Sequence, residues 1–192
     1  ITGFTGKCLI EDVSSVYTDK HWICWTINAT DTQILIRNAT GDMGSGQLMT
    51  DYMSSGSGNV HEWINCIVSK GGVATRSSSG SDASCYYSHG GGSMFDRVTM
   101  IDCNFNNNQI ATEGSAVILE FLACEFSWHQ AIGGTSLLDT CTLHAIPQLT
   151  ASYAKSIVRN CTIDCGVGYQ AVPLPRTLTG IIDIVDNTFD MT

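Results

Sequence analysis

The sequence predicts an all-β fold in which short parallel strands wind into a solenoid, and three observations carry that prediction. Charged residues make up only 14 % of the 192 residues, well below the usual quarter, and Gly, Ser, Thr and Asn fill the difference. Long helices would need more Glu, Lys, Leu and Ala. A six-residue pattern recurs, with a large apolar residue three before a cysteine and another two after it. Its copies fall at intervals near twenty residues, the mark of units that bury an apolar face only by stacking.

With position zero at the cysteine, WINCIV gives Trp63, Cys66 and Val68, and MIDCNF gives Met100, Cys103 and Phe105. FLACEF supplies Phe121, Cys124 and Phe126; LDTCTL supplies Leu138, Cys141 and Leu143; VRNCTI supplies Val158, Cys161 and Ile163. In IVDNTF, Asn187 stands in for cysteine between Ile184 and Phe189. IRNATG (Ile36, Ala39, Gly41) is a weaker copy. The zero positions lie 37, 21, 17, 20 and 26 residues apart. A straight strand keeps period two, so a step of three followed by two needs a bend between two strands. The residue just before zero is polar or small in every good copy: Asn65, Asp102, Ala123, Thr140, Asn160, Asp186. The bend therefore falls there, and Val98, Leu119 and Ile182 extend the incoming strand inward by period two.

The elements follow in chain order. Residues 1–33, with Trp22 and Trp25 near Cys24, do not match the repeat and are expected to form an irregular cap. Residues 34–192 form the solenoid. GSGQLMTDYMSSGSGN (44–59), with Met49, Tyr52 and Met53, is an irregular stretch. Residues 70–93 are a Gly/Ser-rich insertion expected to loop out of the stack, carrying Cys85, Tyr86, Tyr87 and His89. SWHQAIGG places Trp128 and His129 just past a strand, where loops are expected, and AVPLPRTLTG (171–180) reads as a loop or rim.

The ladder gives Cys66, Cys103, Cys124, Cys141, Cys161 and Asn187 a structural role in the core. Parallel stacking holds Cβ atoms near ~4.8 Å, longer than the ~3.8 Å a disulfide prefers, so free buried thiols are expected. Cys8 and Cys24 remain as one candidate bridge off the ladder, where Cys85 and Cys165 also lie.

NCTI, DCNF and DNTF after an alternating apolar strand resemble the repeats of pectate-lyase-like proteins, over roughly residues 34 to 192. That family includes polysaccharide lyases, polysaccharide hydrolases and bacteriophage tailspikes. The resemblance implies a right-handed, single-stranded parallel β-helix, here of about six to seven coils with an N-terminal cap. It is most like a tailspike or tail-fibre segment, and implies a homotrimer at a virion surface or outside the cell.

The chemistry of the family is hard to place on this chain. Its calcium-dependent lyases combine clustered acids with a basic residue; this chain has 9 Lys+Arg in all, against 18 Asp+Glu. The polygalacturonase-like pattern is missing: Ser88-His89-Gly90 and Asp186-Asn187-Thr188 are only fragments of it. A glycosidase needs two carboxylates ~5–9.5 Å apart across a groove, and position nominates Glu120, Glu125, Asp139 and Asp164. His144 and Asp164 both stand three after zero, so they are adjacent in successive coils. Tyr86, Tyr87, His89, Trp128 and His129 are the candidate carbohydrate-binding residues, since an aromatic face packs on the apolar face of a sugar. The histidines share no metal-ligand spacing, so neither metal nor cofactor is expected. A net charge of −9 without a cation cluster argues against nucleic acid. No apolar run is long enough to insert in a membrane. The chain opens on Ile1 with no initiator Met or signal peptide, as expected of a processed chain or a piece of something longer.

The expected function is thus a structural, receptor-binding virion module engaging host surface polysaccharide. The alternative is a polysaccharide-degrading enzyme, a glycoside hydrolase or lyase.

Overall fold

The computed structural model describes residues 5–16, 21–26, 31–42, 47–52, 58–69, 84–89, 97–105, 109–113, 118–126, 128–132, 134–144, 148–149, 153–164 and 181–190. These residues contain strands and no helix, and all their strand pairs are parallel. The long sheet has eight strands: Gly6–Glu11, Thr32–Arg37, Val60–Ile64, Arg97–Ile101, Ile118–Leu122, Gly134–Asp139, Tyr153–Arg159 and Ile181–Val185. Each is hydrogen-bonded to the next in this order. A second wall holds Ser14–Val16, Thr40–Asp42 and Ile67–Ser69, then Glu125–Phe126, Thr142–Leu143, Thr162–Asp164 and Thr188–Asp190. Asn104 bridges Ile67 to Glu125 and so joins its two parts. A third sheet of six strands comprises His21–Thr26, Gln47–Tyr52, Ser84–His89, Gln109–Glu113, Trp128–Ile132 and Gln148–Leu149. The chain visits long sheet, second wall and third sheet in turn and returns parallel to itself, an all-β order consistent with a parallel solenoid.

Residues 6–26, set apart by sequence as a cap, carry three strands that pair with those of the next circuit. Gly6 lies opposite Thr32 and Glu11 opposite Arg37. The sequence hid this circuit because Val13 and Ser15 occupy the places that a cysteine and a large apolar residue hold elsewhere. Ser84–His89, expected to leave the stack, instead lies between Gln47–Tyr52 and Gln109–Glu113. Gly and Ser around it suggested a loop, but Tyr86 and Tyr87 suit a strand and the neighbouring circuits supply its backbone partners. Gln47–Tyr52 and Trp128–Ile132 are strands for the same reason. Residues 70–83, 90–93 and 171–180, Met53 and Cys165 lie outside the described residues.

The bend between long sheet and second wall has one repeated cause. Asp12, Asn38, Asn65, Asp102, Ala123, Thr140, Asn160 and Asp186 all adopt φ between 52 and 58°. One left-handed residue turns the strand and resets its parity, so the residues three before and two after the cysteine both face inward. Asp and Asn suit this backbone because their short polar side chains bond locally. Asn65 Nδ2 donates to Asn38 Oδ1 (3.0 Å), and Asn38 Nδ2 to Asp12 Oδ1 (2.9 Å), forming an amide ladder outside the bend. The backbone stays bonded through it: Asn65 N–H donates to Ile101 O (2.9 Å) and Glu125 N–H to Cys103 O (2.9 Å). Ala123 and Thr140 lack an ideal side chain for φ > 0. Ala123→Asn is therefore expected to raise stability by about 1 kcal/mol, read as a higher urea midpoint with unchanged slope.

Inside the bend, the thiols of Cys66, Cys103, Cys124, Cys141 and Cys161 are free and at most 2 % exposed. Cys8 is also free, so the candidate bridge to Cys24 does not form. Cys66, Cys124, Cys141 and Cys161 can each donate to the carbonyl three before zero in the preceding circuit, as Cys124 Sγ does to Met100 O (3.3 Å) and Cys141 Sγ to Phe121 O (3.3 Å), while Cys103 Sγ reaches Ile101 O (3.3 Å). Asn187 makes the same bond with an amide, Nδ2 to Val158 O at 2.8 Å, and its Oδ1 accepts from Cys161 N–H at 2.9 Å. Asparagine therefore substitutes for cysteine because it reaches the same acceptor with a stronger donor. Contact with the thiols of Cys124 and Cys66, then burial, pushes the Cys103 thiol up; Cys161 and burial do the same to Cys141. The same thiol contacts act in the opposite direction on Cys66, Cys124 and Cys161 and lower them, so it is Cys103 and Cys141 that are held as inert thiols.

Large side chains fill the remaining interior, among them Trp63, Phe105, Phe121 and Phe126. Each contributes about 2–3 kcal/mol through burial. Ile184 and Phe189, at inward positions of the last circuit, are 51 % and 48 % exposed, since no described circuit lies beyond them.

Candidate functional site

The four carboxylates nominated by position occupy three places on the outer surface. Glu120 projects from the long sheet, where Thr99 Oγ1 donates to its Oε2 (3.1 Å) and Arg97 Nη1 stands 3.7 Å from the same oxygen. Asp139 ends the next strand of the sheet, directly before a bend. Arg159 donates to its Oδ2 through Nη2 (2.6 Å) and Nε (2.9 Å), and Asn160 Nδ2 donates to its Oδ1 (3.0 Å). The Arg159 guanidinium, then Asn160, holds this carboxyl below the usual carboxylate range. That is opposite to what a general acid at neutral pH needs.

Glu125 and Asp164 come together on the second wall, with His144 between them. The bend points residues one and three after zero outward, and successive circuits stack them side by side. Glu125 Oε1 lies 2.9 Å from His144 Nε2, and Asn104 Nδ2 donates to Glu125 Oε2 at 2.8 Å. His144 Nδ1 is 3.9 Å from Asp164 Oδ2. The line Asn104–Glu125–His144–Asp164 thus crosses four successive circuits, with the imidazole a quarter exposed. Position had already made His144 and Asp164 neighbours. The Glu125 contact was missed because it joins a residue one after zero to one three after zero. Asn104, at the same position as Glu125 one circuit earlier, was the available signal. Chemically, the line presents carboxylate oxygens and an imidazole to solvent, but both Glu125 oxygens are already engaged across circuits. Among the described residues, no cluster of His, Cys, Asp and Glu could hold a metal ion.

The five candidate sugar-binding residues lie on two strands of the third sheet, Ser84–His89 and Trp128–Ile132, with Gln109–Glu113 between them. Tyr86 and His129 are both opposite Ile110, so they share a register row. Tyr87 shares the next row with Ala111 and Gln130, Trp128 is opposite Gln109, and His89 is opposite Tyr52. Cys85 falls at a register shift, with Ser84 opposite Gln109 and Tyr86 opposite Ile110. Two strand spacings separate Tyr86 from His129 in their shared row, so their backbone positions lie about 10 Å apart. Their side chains lie outside the described residues. The long sequence gap between these strands concealed their proximity, which only the winding of the chain creates.

No family model matches this chain, and no curated protein or solved structure matches it either.

Proposed function

We propose that this chain is a non-enzymatic, receptor-binding module of a virion surface, built as a right-handed parallel β-helix of the pectate-lyase-like kind. It resembles a tailspike or tail-fibre segment, works as a homotrimer outside the cell, and engages host surface polysaccharide. One observation carries the non-enzymatic part: the acids Glu120, Glu125 and Asp139 each serve a bond between neighbouring circuits. Their geometry is that of staples along a solenoid. The register that gathers Tyr86, Tyr87, His89, Trp128 and His129 in one sheet supports glycan contact there.

The test is incubation with a panel of bacterial surface polysaccharides, following binding by calorimetry and cleavage by release of reducing ends or unsaturated sugars. Binding without cleavage is expected, and Tyr86→Ala or Trp128→Ala should weaken it about tenfold, the loss of one aromatic contact. Release of sugar that Glu125→Gln abolishes would replace this reading with the hydrolase or lyase alternative, centred on Glu125, His144 and Asp164.

A further inference from the structure

The outer face of the long sheet differs in kind from the outer face of the second wall. On the second wall, the residues just after zero are Thr40, Asn104, Glu125, Thr142, Thr162 and Thr188, with Ile67 as the apolar exception. That is the polar outer surface expected of a solvated sheet. On the long sheet, outward positions hold Leu35, Ile64, Ile101, Leu122, Leu137 and Ile157, all half-buried. Leu9, Ile118 and Val185 on the same face are 54 %, 39 % and 48 % exposed. These strands read as nearly continuous apolar runs, the composition of parallel sheets covered on both faces. One face covers the core; among the described residues, no element packs on the other.

Charge singles out the same face. Every Lys and Arg among the described residues projects from it: Lys7, Arg37, Arg97, Lys155 and Arg159. Five acids share it, namely Glu11, Glu62, Glu120, Asp139 and Asp183, so the face is neutral on a chain of net charge −9. Four of the cations are paired there across neighbouring strands: Arg37–Glu11 (2.6 Å), Arg97–Glu120 (3.7 Å), Lys155–Asp183 (3.6 Å) and Arg159–Asp139 (2.6 Å). Two copies carrying −9 each repel through most surfaces, and least through this one.

We infer that the outer face of the eight-stranded sheet is where copies of this chain associate. The occupant is a second copy because the face is self-compatible: neutral, apolar along its length, and already ion-paired within itself. A glycan is a poor fit, since among the described side chains no outward position of this sheet carries an aromatic ring. A polyanion finds no net positive charge. Eight strands ~4.8 Å apart and five residues long span roughly 600 Å², so two such faces bury about 1,200 Å², the lower end of specific interfaces. The inference deepens the proposed homotrimeric module by assigning its contact face, yet it is measured separately from polysaccharide binding.

The test is sedimentation velocity on the full chain from 1 to 100 μM. A discrete oligomer is expected, and Leu122→Lys should weaken association at least tenfold. Glu62→Lys, which unbalances the face without removing an apolar side chain, should weaken it as well, and covers the case in which Leu122→Lys fails to fold. Thr142→Lys on the second wall should leave association unchanged. A monomer at 100 μM overturns the inference, as does an oligomer indifferent to both long-sheet variants. Co-sedimentation of a monomer with neutral phosphatidylcholine vesicles, lost in Leu122→Lys, would overturn it in favour of a lipid surface. Loss of polysaccharide binding with association intact would strike only the functional proposal.

Discussion

Phe121→Ala is expected to destabilise the chain by about 3–5 kcal/mol, seen as a large fall in the urea midpoint. Phe121 is fully buried on the inward face of the long sheet, and its ring centroid lies 5.3 Å from that of Phe126 across the bend. Met100 and Leu138 occupy its row in the neighbouring circuits and are themselves fully buried. Truncation leaves a cavity that strands locked in parallel register on both sides cannot close. The cost should therefore lie at the upper end for a Phe, and Phe121→Leu should recover more than half of it. An equal loss in both variants would mean that ring volume is not what the site uses.

Acid should weaken the fold through one side chain. His61 is fully buried, stacked in its row between Ile34 and Val98, with its ring 5.4 Å from that of Trp63. Burial lowers its pKa to about 3, against about 6.5 in the unfolded chain. Between these values the unfolded state binds the extra proton, so stability is full above pH ~6.5 and falls as pH drops towards 3. From pH 7 to pH 4.5 the loss should be about 2.5 kcal/mol. Asp139, held below the ordinary carboxylate range, loses its contribution only below its unfolded value near ~3.9, so it barely enters this window. His61→Leu, matching its apolar row neighbours, should flatten the profile across that window. A variant whose midpoint falls with acid as steeply as the parent's would show that other groups set the dependence.

The corner was legible in sequence because its constraint is local. A cysteine flanked by apolar residues at unequal distances, after Asn or Asp, states a left-handed residue and two inward strands without reference to anything distant. Where one term is missing, as at Val13 and Ser15, the same corner forms but the pattern fades. The third sheet was not legible: Ser84–His89 and Trp128–Ile132 carry no shared motif, and their strand character comes from partners in other circuits. The Glu125–His144 contact was hidden for a related reason, because it depends on how two positions stack and on side-chain reach.

The sequence by itself determined where the chain turns, what points inward at each turn, and that the cysteines form rungs of a core. It could do so because backbone chirality and side-chain alternation act over a few residues. Only the tertiary structure decided which strands neighbour one another. It therefore also decided which acids are tied by cations, which aromatics share a sheet, and that one outer face is apolar and neutral. Those properties belong to rows that cross the chain about every twenty residues, and a row exists only once the circuits have stacked.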